Sequence, residues 1–144
     1  MKEPEPVLVA FCCYFCAYAA ADLAGSLRMS YPPNVRVVEV PCSGRVEPAM
    51  LVKALNDGAD GVMIAGCLEG DCHFLRGNIR ARRRVERLQR FLQEMGVEPG
   101  RVEMFNLSAA MGPRFAEIVT EMTQRLRELG PWKRDAARSK GVGA

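Results

Sequence analysis

Two short apolar runs, at residues 7–11 and 61–65, constrain the fold of this chain more than any other feature of its sequence. Each run has the length of one strand and contains no polar residue, which is typical of strands buried on both faces of a parallel sheet. Two further β-branched runs, at residues 35–40 and 102–107, carry charged or polar residues and are predicted to be more peripheral strands. The sequence therefore predicts four strands.

Segments with helical patterns lie between these strands and after the last one. Apolar residues recur at helical spacing within residues 51–55, 85–95 and 115–129, and the segment from about Tyr18 to Met29 is rich in alanine. Pro48 favours a helix start, and Gly96 favours a helix end. The resulting β-α-β-α-β-α-β-α order predicts an α/β fold with a single doubly wound four-stranded parallel sheet, flavodoxin-like or Rossmann-like, in the strand order 2-1-3-4.

The size and charge of the chain indicate one domain followed by a basic tail. With 144 residues, 49% of them hydrophobic, the chain is long enough to bury a core without disulfides. We assign residues 1–131 to the domain and 132–144 to the tail. The tail has four basic residues and one acidic residue, which accounts for the whole formal charge of +3. Residues 1–130 are therefore balanced, and a globally basic nucleic-acid-binding protein is not indicated.

The apolar start of the chain does not have the features of an export signal or a membrane anchor. Glu3 and Glu5 precede the apolar segment where a signal peptide would be basic, and Asp22 lies within it. We therefore expect a cytoplasmic protein without membrane insertion.

Six cysteines follow the first three predicted strands. Cys12, Cys13 and Cys16 follow the first strand, Cys42 follows the second, and Cys67 and Cys72 follow the third. Because the carboxyl ends of parallel strands lie at one edge of a sheet, these cysteines are predicted to form one constellation. Any single cysteine is often just a small buried apolar residue, and Cys12, which abuts the strand, fits that description best.

Several kinds of chemistry could account for such a constellation. Disulfides are disfavoured in a cytosolic protein, and structural zinc usually requires two short C-x2–4-C motifs. The C-x2-C and C-x4-C spacings of this chain are both known among [2Fe–2S] sites, so they favour an iron–sulfur cluster over zinc. A zinc-stabilised binding module and a thiol–disulfide oxidoreductase that uses Cys13 and Cys16 remain alternatives.

Four stretches of the chain together resemble a known family. They are CCYFCAYAAADLAG (residues 12–25), YPPNVRVVEVPCSGRVEP (31–48), GADGVMIAGCLEGDCHFLRGN (58–78) and the closing helix through RELGP. Over about residues 6–131 the chain is similar to the delta subunit of methyl-viologen-reducing hydrogenase, an iron–sulfur protein associated with heterodisulfide reductase.

The resemblance implies a non-catalytic electron-transfer subunit of a hetero-oligomeric oxidoreductase complex of anaerobic metabolism. Such a protein carries a [2Fe–2S] cluster and relays electrons from a hydrogenase or a formate dehydrogenase. The acceptor is a flavin-containing, heterodisulfide reductase A-like flavoprotein, where electron bifurcation occurs. The resemblance also implies that the metal ligands are four of the five residues Cys13, Cys16, Cys42, Cys67 and Cys72.

Two departures from the family pattern leave the thiols in place. Tyr14-Phe15 stands where the family commonly has Asn-Trp, and Leu68-Glu69-Gly70-Asp71 stands where it commonly has His-Pro-Gly-Asp. Both changes lie beside sulfur ligands, whose surroundings set the potential of a cluster. They bear on the potential and on the docking partner.

Four further residues are candidates for contact with the cofactor: Gly44, Arg45, Gly66 and His73. The two glycines suit loops whose backbone N–H groups come close to cluster sulfurs, although an ordinary tight turn would also explain them. Arg45 could offset the negative charge of a cluster or pair with Glu47 or Asp71. His73 is expected to donate a hydrogen bond near Cys72 or to lie at the partner surface rather than to bind iron.

Seven arginines lie between Arg76 and Arg90, with Glu86 as the only acidic residue among them. Such a run can contact phosphates, but it usually forms the solvated face of a helix. Because it follows the Cys67 loop, a basic docking surface for an acidic protein partner fits it better. Tyr14, Phe15 and Tyr18, near the first cysteine motif, are predicted to form an apolar contact with a partner.

Overall fold

The structure is a computed structural model, and it describes residues 5–27, 33–68, 70 and 76–131. The predictions about Cys72, His73 and the tail at 132–144 lie outside the described residues. The strands are β1 (Leu8–Cys13), β2 (Val35–Val40), β3 (Gly61–Cys67) and β4 (Val102–Leu107). The helices are α1 (Ala19–Ser26), α2 (Pro48–Asn56), α3 (Gly77–Glu94) and α4 (Gly112–Leu129). A π-helical turn (Tyr14–Tyr18) leads directly into α1, and short 3-10 turns cover Ser43–Arg45 and Pro99–Arg101.

The four strands form one parallel sheet in the order β2-β1-β3-β4, which confirms the predicted fold class and strand order. β1 and β3 are the central strands, and β2 and β4 form the edges, as their apolar content predicted. The ladders keep the carboxyl ends level, because Cys13 pairs with Val40 and Cys67 pairs with Leu107. Residues at the ends of neighbouring strands are thereby brought side by side.

Helices cover both faces of the sheet, so the fold is doubly wound. Side chains alternate along the central strands: Ala10 and Met63 pack in one apolar cluster with residues of α1 and α4. Phe11 and Ile64 pack in a second cluster with residues of α2 and α3. Within the described ranges, no helix is long and apolar enough to cross a membrane.

The central strands run further than the apolar runs predicted. β1 continues to Cys13 and β3 continues to Cys67, so these cysteines, with Cys12, lie in the last positions of strands and not in loops. The physical reason is that a cysteine thiol is small and apolar enough for a buried strand position. The π-helical turn was not predicted; helical structure begins directly after Cys13 and not near Tyr18.

Candidate metal centre

Three cysteines converge at the carboxyl edge of the sheet. The Sγ atoms of Cys13, Cys16 and Cys67 all lie within 4.8 Å of one another, and those of Cys13 and Cys67 are 3.6 Å apart. Cys13 ends β1 and Cys67 ends the adjacent strand β3, while Cys16 lies in the π-helical turn. A disulfide would require sulfur atoms about 2.05 Å apart. The three residues, which we call the cysteine trio, are therefore close thiols.

The trio lies at the margin of the apolar core. Cys13 and Cys67 are buried and Cys16 is half-buried. Burial raises the pKa of the Cys13 thiol, whereas the N–H of Ala17 acts in the opposite direction and the neighbouring Cys67 adds to the rise. A bound metal cation would reverse this preference, because a metal stabilises the thiolate form of its ligands.

The π-helical turn directs a backbone donor at the trio. Ala17 N–H donates a hydrogen bond to Cys13 Sγ at 3.4 Å, so that the thiol caps the start of the helical segment. π-Helical turns are rare and are frequently found at functional sites. Here the wider turn places Cys16 next to Cys13, although only two residues separate them.

Cys42 lies in the adjacent turn after β2. It is buried in the same apolar cluster as Cys13 and Cys67, but its sulfur is not one of the three within 4.8 Å. Gly44 N–H donates a hydrogen bond to Cys42 Sγ at 3.4 Å. Backbone donors therefore contact sulfur in two of the predicted ligands.

The two predicted glycines allow close packing around this turn. A Cβ at Gly44 would lie 2.8 Å from the Cα of Gly77, the first residue of α3. A Cβ at Gly66 would lie 2.8 Å from the hydroxyl oxygen of Ser43. The absence of both Cβ atoms lets the Cys42 turn fit between β3 and α3, so contact with neighbouring protein atoms accounts for these glycines.

A different arginine from the predicted one holds the Cys42 turn. Arg45 is exposed, while the Arg84 guanidinium donates hydrogen bonds to the carbonyl oxygens of Gly44 and Val46, at 2.6 and 3.1 Å. The Glu47 carboxylate, named as a possible partner of Arg45, lies 3.8 Å from Arg84. Arg84 thus positions the backbone beside Cys42.

Cys12 lies inside the core. Its side chain is fully buried, and its thiol lies 3.8 Å from the carbonyl oxygen of Ala10, to which it donates. Burial raises the pKa of this thiol to about 12, with a smaller contribution from Cys13. Its surroundings favour a neutral thiol.

Sequence reasoning missed two asparagines that hold the end of β3. The buried Asn78 side chain donates to the carbonyl oxygens of Cys67 and Leu68, at 3.0 and 2.9 Å. Asn106 donates to the Cys67 carbonyl oxygen at 2.6 Å and accepts a hydrogen bond from Arg82. The RGN sequence before α3 is the only signal that could have indicated Asn78, since asparagine commonly bonds to backbone groups near helix starts.

An aromatic surface flanks the trio on the solvent side. Tyr14 and Phe15 are 50% and 42% exposed, and their rings meet edge to face with centroids 5.1 Å apart. Tyr14 also stacks on Tyr18 at 6.4 Å. A groove of about 400 Å³ runs between the two exposed rings and the end of β2, at Glu39 and Pro41. Exposed aromatic groups of this kind are typical of protein interfaces.

The donor set of the trio fits a soft metal centre. Three thiols within contact distance are ligands for zinc or for an iron–sulfur cluster, and carboxylate-preferring ions such as Mg²⁺ are disfavoured. A fourth thiol would complete either kind of site. Cys42 is a described candidate, whereas Cys72 lies outside the described residues.

Comparison with known proteins relates this chain to hydrogenase subunits. The family model described as methyl-viologen-reducing hydrogenase, delta subunit, matches residues 8–130. A D-type iron-sulfur subunit of an F420-non-reducing hydrogenase from Archaeoglobus profundus is 53% identical over 132 residues, covering 92% of this chain and 96% of that protein. The D-type vhu iron-sulfur subunit of the same kind of hydrogenase from Methanopyrus kandleri is 47% identical over 127 residues, covering 88% of this chain and 96% of that protein.

A third relative is a much longer protein. An A-type subunit of ferredoxin:CoB-CoM heterodisulfide reductase from Methanosarcina mazei is 44% identical over 130 residues, which are 90% of this chain but 16% of that protein. In that relative, a region similar to this chain therefore belongs to the same polypeptide as the rest of the reductase protein.

Proposed function

Because this chain belongs to the methyl-viologen-reducing hydrogenase delta subunit family, we propose that it is a cytosolic electron-transfer subunit that carries a [2Fe–2S] cluster. The observation that carries the proposal is the convergence of three thiols, from Cys13, Cys16 and Cys67, within 4.8 Å at the ligand-binding edge of the sheet. The cluster would supply one-electron transfer, and the chain would hold it near the surface.

The protein groups around the trio are suited to a negatively charged sulfur centre. Hydrogen bonds from backbone N–H groups to sulfur raise the potential of an iron–sulfur cluster. Ala17 and Gly44 donate such bonds to Cys13 and Cys42. The apolar surroundings of the trio would limit the access of water on the core side.

We assign the ligands to four of five cysteines. The trio supplies three of them, and Cys42 or Cys72 supplies the fourth. Gly44 contributes its N–H to the sulfur of Cys42, while Arg45 and His73 remain proposed neighbours of the cluster. Gly66 contributes by letting the side chain of Ser43 approach β3.

The named relatives suggest the partners. One is an iron-sulfur protein of a hydrogenase, and another belongs to a heterodisulfide reductase and contains a similar region in its own chain. A domain that is fused to a partner in one organism and separate in another usually contacts that partner in both. We propose that electrons pass from a hydrogenase, or from a formate dehydrogenase, through this chain to a flavin-containing, heterodisulfide reductase A-like flavoprotein, where bifurcation takes place.

The geometry favours this function over a thiol–disulfide oxidoreductase. A nucleophilic cysteine requires a lowered pKa and exposure, whereas burial raises the pKa of Cys13, and the thiol 3.6 Å from it is that of Cys67 on another strand. A zinc-stabilised module would use the same thiols, so metal content distinguishes it.

Reconstitution of the relay tests the proposed function. Purified hydrogenase, hydrogen gas and the A-like flavoprotein from the source organism are mixed anaerobically with and without the chain, and flavin reduction is followed by absorbance. We expect flavin reduction only when the chain is present, and a Cys67→Ser variant should not support it. Equal reduction without the chain would contradict the relay.

A further inference from the structure

The outer face of α3 carries a row of five arginines: Arg76, Arg80, Arg83, Arg87 and Arg90. Their spacings of four, three, four and three residues place them along one side of a helix. All five are exposed, whereas Val85 and Leu88 point into the core. At 1.5 Å per residue, this arginine row extends over about 21 Å.

The charges of the arginine row are not neutralised within the part of the chain that the structure describes. The other two arginines of the run have structural contacts, because Arg82 donates to Asn106 and Arg84 donates to the Cys42 turn. The described ion pairs involve other arginines and Lys53, and none involves a residue of the row. Five guanidinium groups thus face solvent.

This arrangement destabilises the helix that carries it. Like charges three or four residues apart cost about 0.2–0.5 kcal/mol for each pair. Cations near a helix start also oppose the helix dipole, and the first turn of α3 contains no acidic residue. A row of alternating charges would serve the isolated helix better, so the row points to a role outside the helix.

The residues around the row indicate a protein partner. Phe91 and Met95, at the far end of the helix, are 54% and 64% exposed. Arginine, aromatic residues and methionine are the types enriched at protein interfaces. Residues 1–130 as a whole carry no net charge, unlike a domain that binds the phosphates of nucleic acid.

The row begins beside the cysteine trio. Asn78, in the first turn of α3, is hydrogen-bonded to the carbonyl oxygen of Cys67, and Arg76 and Arg80 lie within two residues of it. A protein seated on the row would therefore reach the edge of the sheet at which the trio lies. We propose that the arginine row is the docking surface for an acidic face of the A-like flavoprotein; this inference rests on the proposed function for the identity of that partner.

A double charge reversal tests the docking surface without weakening the helix. Arg80→Glu combined with Arg87→Glu converts the row to alternating charges, which should leave the melting temperature unchanged or raise it. The matched control is Lys53→Glu combined with Arg127→Glu, which changes the net charge equally on exposed positions of α2 and α4. Binding to the purified A-like flavoprotein from the source organism is measured by calorimetry at two salt concentrations.

The expected result is a loss of at least about tenfold in affinity for the row variant at low salt, with a weaker salt dependence, and little change for the control. Equal affinity of the row variant and wild type would overturn the docking surface but leave the proposed function standing. Equal losses in both variants would overturn it in favour of a net-charge effect. Wild-type protein that does not bind the flavoprotein would contradict the proposed function as well.

A 20-nucleotide single-stranded RNA serves as the second probe. Unchanged RNA behaviour of the row variant, together with its weaker flavoprotein binding, supports the protein docking surface. RNA binding that only the row variant loses, with unchanged flavoprotein binding, would overturn that surface and assign the row to nucleic acid.

Discussion

The Sγ atoms of Cys13 and Cys67 lie 3.6 Å apart, although 54 residues separate them in the chain. The parallel pairing of β1 and β3 causes this proximity, because both strands end in a cysteine at the same edge of the sheet. A position that would be an ordinary strand end is thereby converted into a place where two thiols can share one metal centre.

Single Cys→Ser changes within the trio should remove or alter the metal centre. We expect Cys13→Ser, Cys16→Ser and Cys67→Ser to lose iron or to change the EPR signal of the reduced protein, because each removes one thiolate ligand. Cys12→Ala is the control, since Cys12 lies in the core, and it should retain both the iron and the signal. An unchanged signal in Cys67→Ser would contradict the assignment.

The same series identifies the fourth ligand. Of Cys42→Ser and Cys72→Ser, one variant should keep the wild-type signal and the other should lose or alter it. Loss of the cluster in neither variant would show that the fourth ligand is not a cysteine of this set.

Asn78→Ala should destabilise the protein. The change leaves the carbonyl oxygens of Cys67 and Leu68 without the Asn78 donor in a buried place, which costs about 1–3 kcal/mol in the free energy of unfolding. Anaerobic denaturant titration measures the loss, with Asn56→Ala at the exposed end of α2 as the control. Equal stability of the two variants would show that Asn78 does not hold the end of β3.

Gly44→Ala separates a packing role from a cofactor role. The added Cβ would lie 2.8 Å from the backbone Cα of Gly77, so we expect the free energy of unfolding to fall by about 1–3 kcal/mol. Gly25→Ala, where nothing lies within 4 Å of the added Cβ, should be neutral or stabilising. Loss of iron from Gly44→Ala at unchanged stability would favour direct contact with the cofactor instead.

The exposed aromatic pair should matter for partner binding and not for folding. Replacing Tyr14 and Phe15 by alanine removes two half-exposed rings beside the trio, and we expect at least about tenfold weaker binding to a redox partner. Iron content and the melting temperature should stay near wild type. Leu27→Ala, another exposed apolar residue, is the control; an equal effect of both changes would argue against a contact at Tyr14 and Phe15.

The sequence was sufficient to predict the architecture because its strands and helices have clear and different periodicities. The apolar runs around Ala10 and Ile64 are compatible with little other than central strands, and the strand order then follows from right-handed crossovers. Strand ends were less predictable, since cysteine suits both a buried strand and a loop, and β1 therefore continues to Cys13.

The site was predictable only in part, because proximity at a sheet edge does not determine which atoms touch. The spacing indicated that cysteines would gather, and Cys13, Cys16 and Cys67 do so in the structure. The supporting contacts of Asn78 and Arg84 depend on side-chain directions across elements far apart in the chain. No local sequence pattern encodes such contacts.

The metal content of anaerobically purified full-length protein decides whether the trio holds an iron–sulfur cluster. Iron, acid-labile sulfide and zinc are measured per chain, together with the visible spectrum and the EPR signal after one-electron reduction. We predict iron and sulfide in equal amounts at the content of one [2Fe–2S] cluster, with one unpaired spin per chain. A colourless protein without iron, zinc in place of iron, or a titratable Cys13–Cys16 dithiol without metal would contradict the cluster.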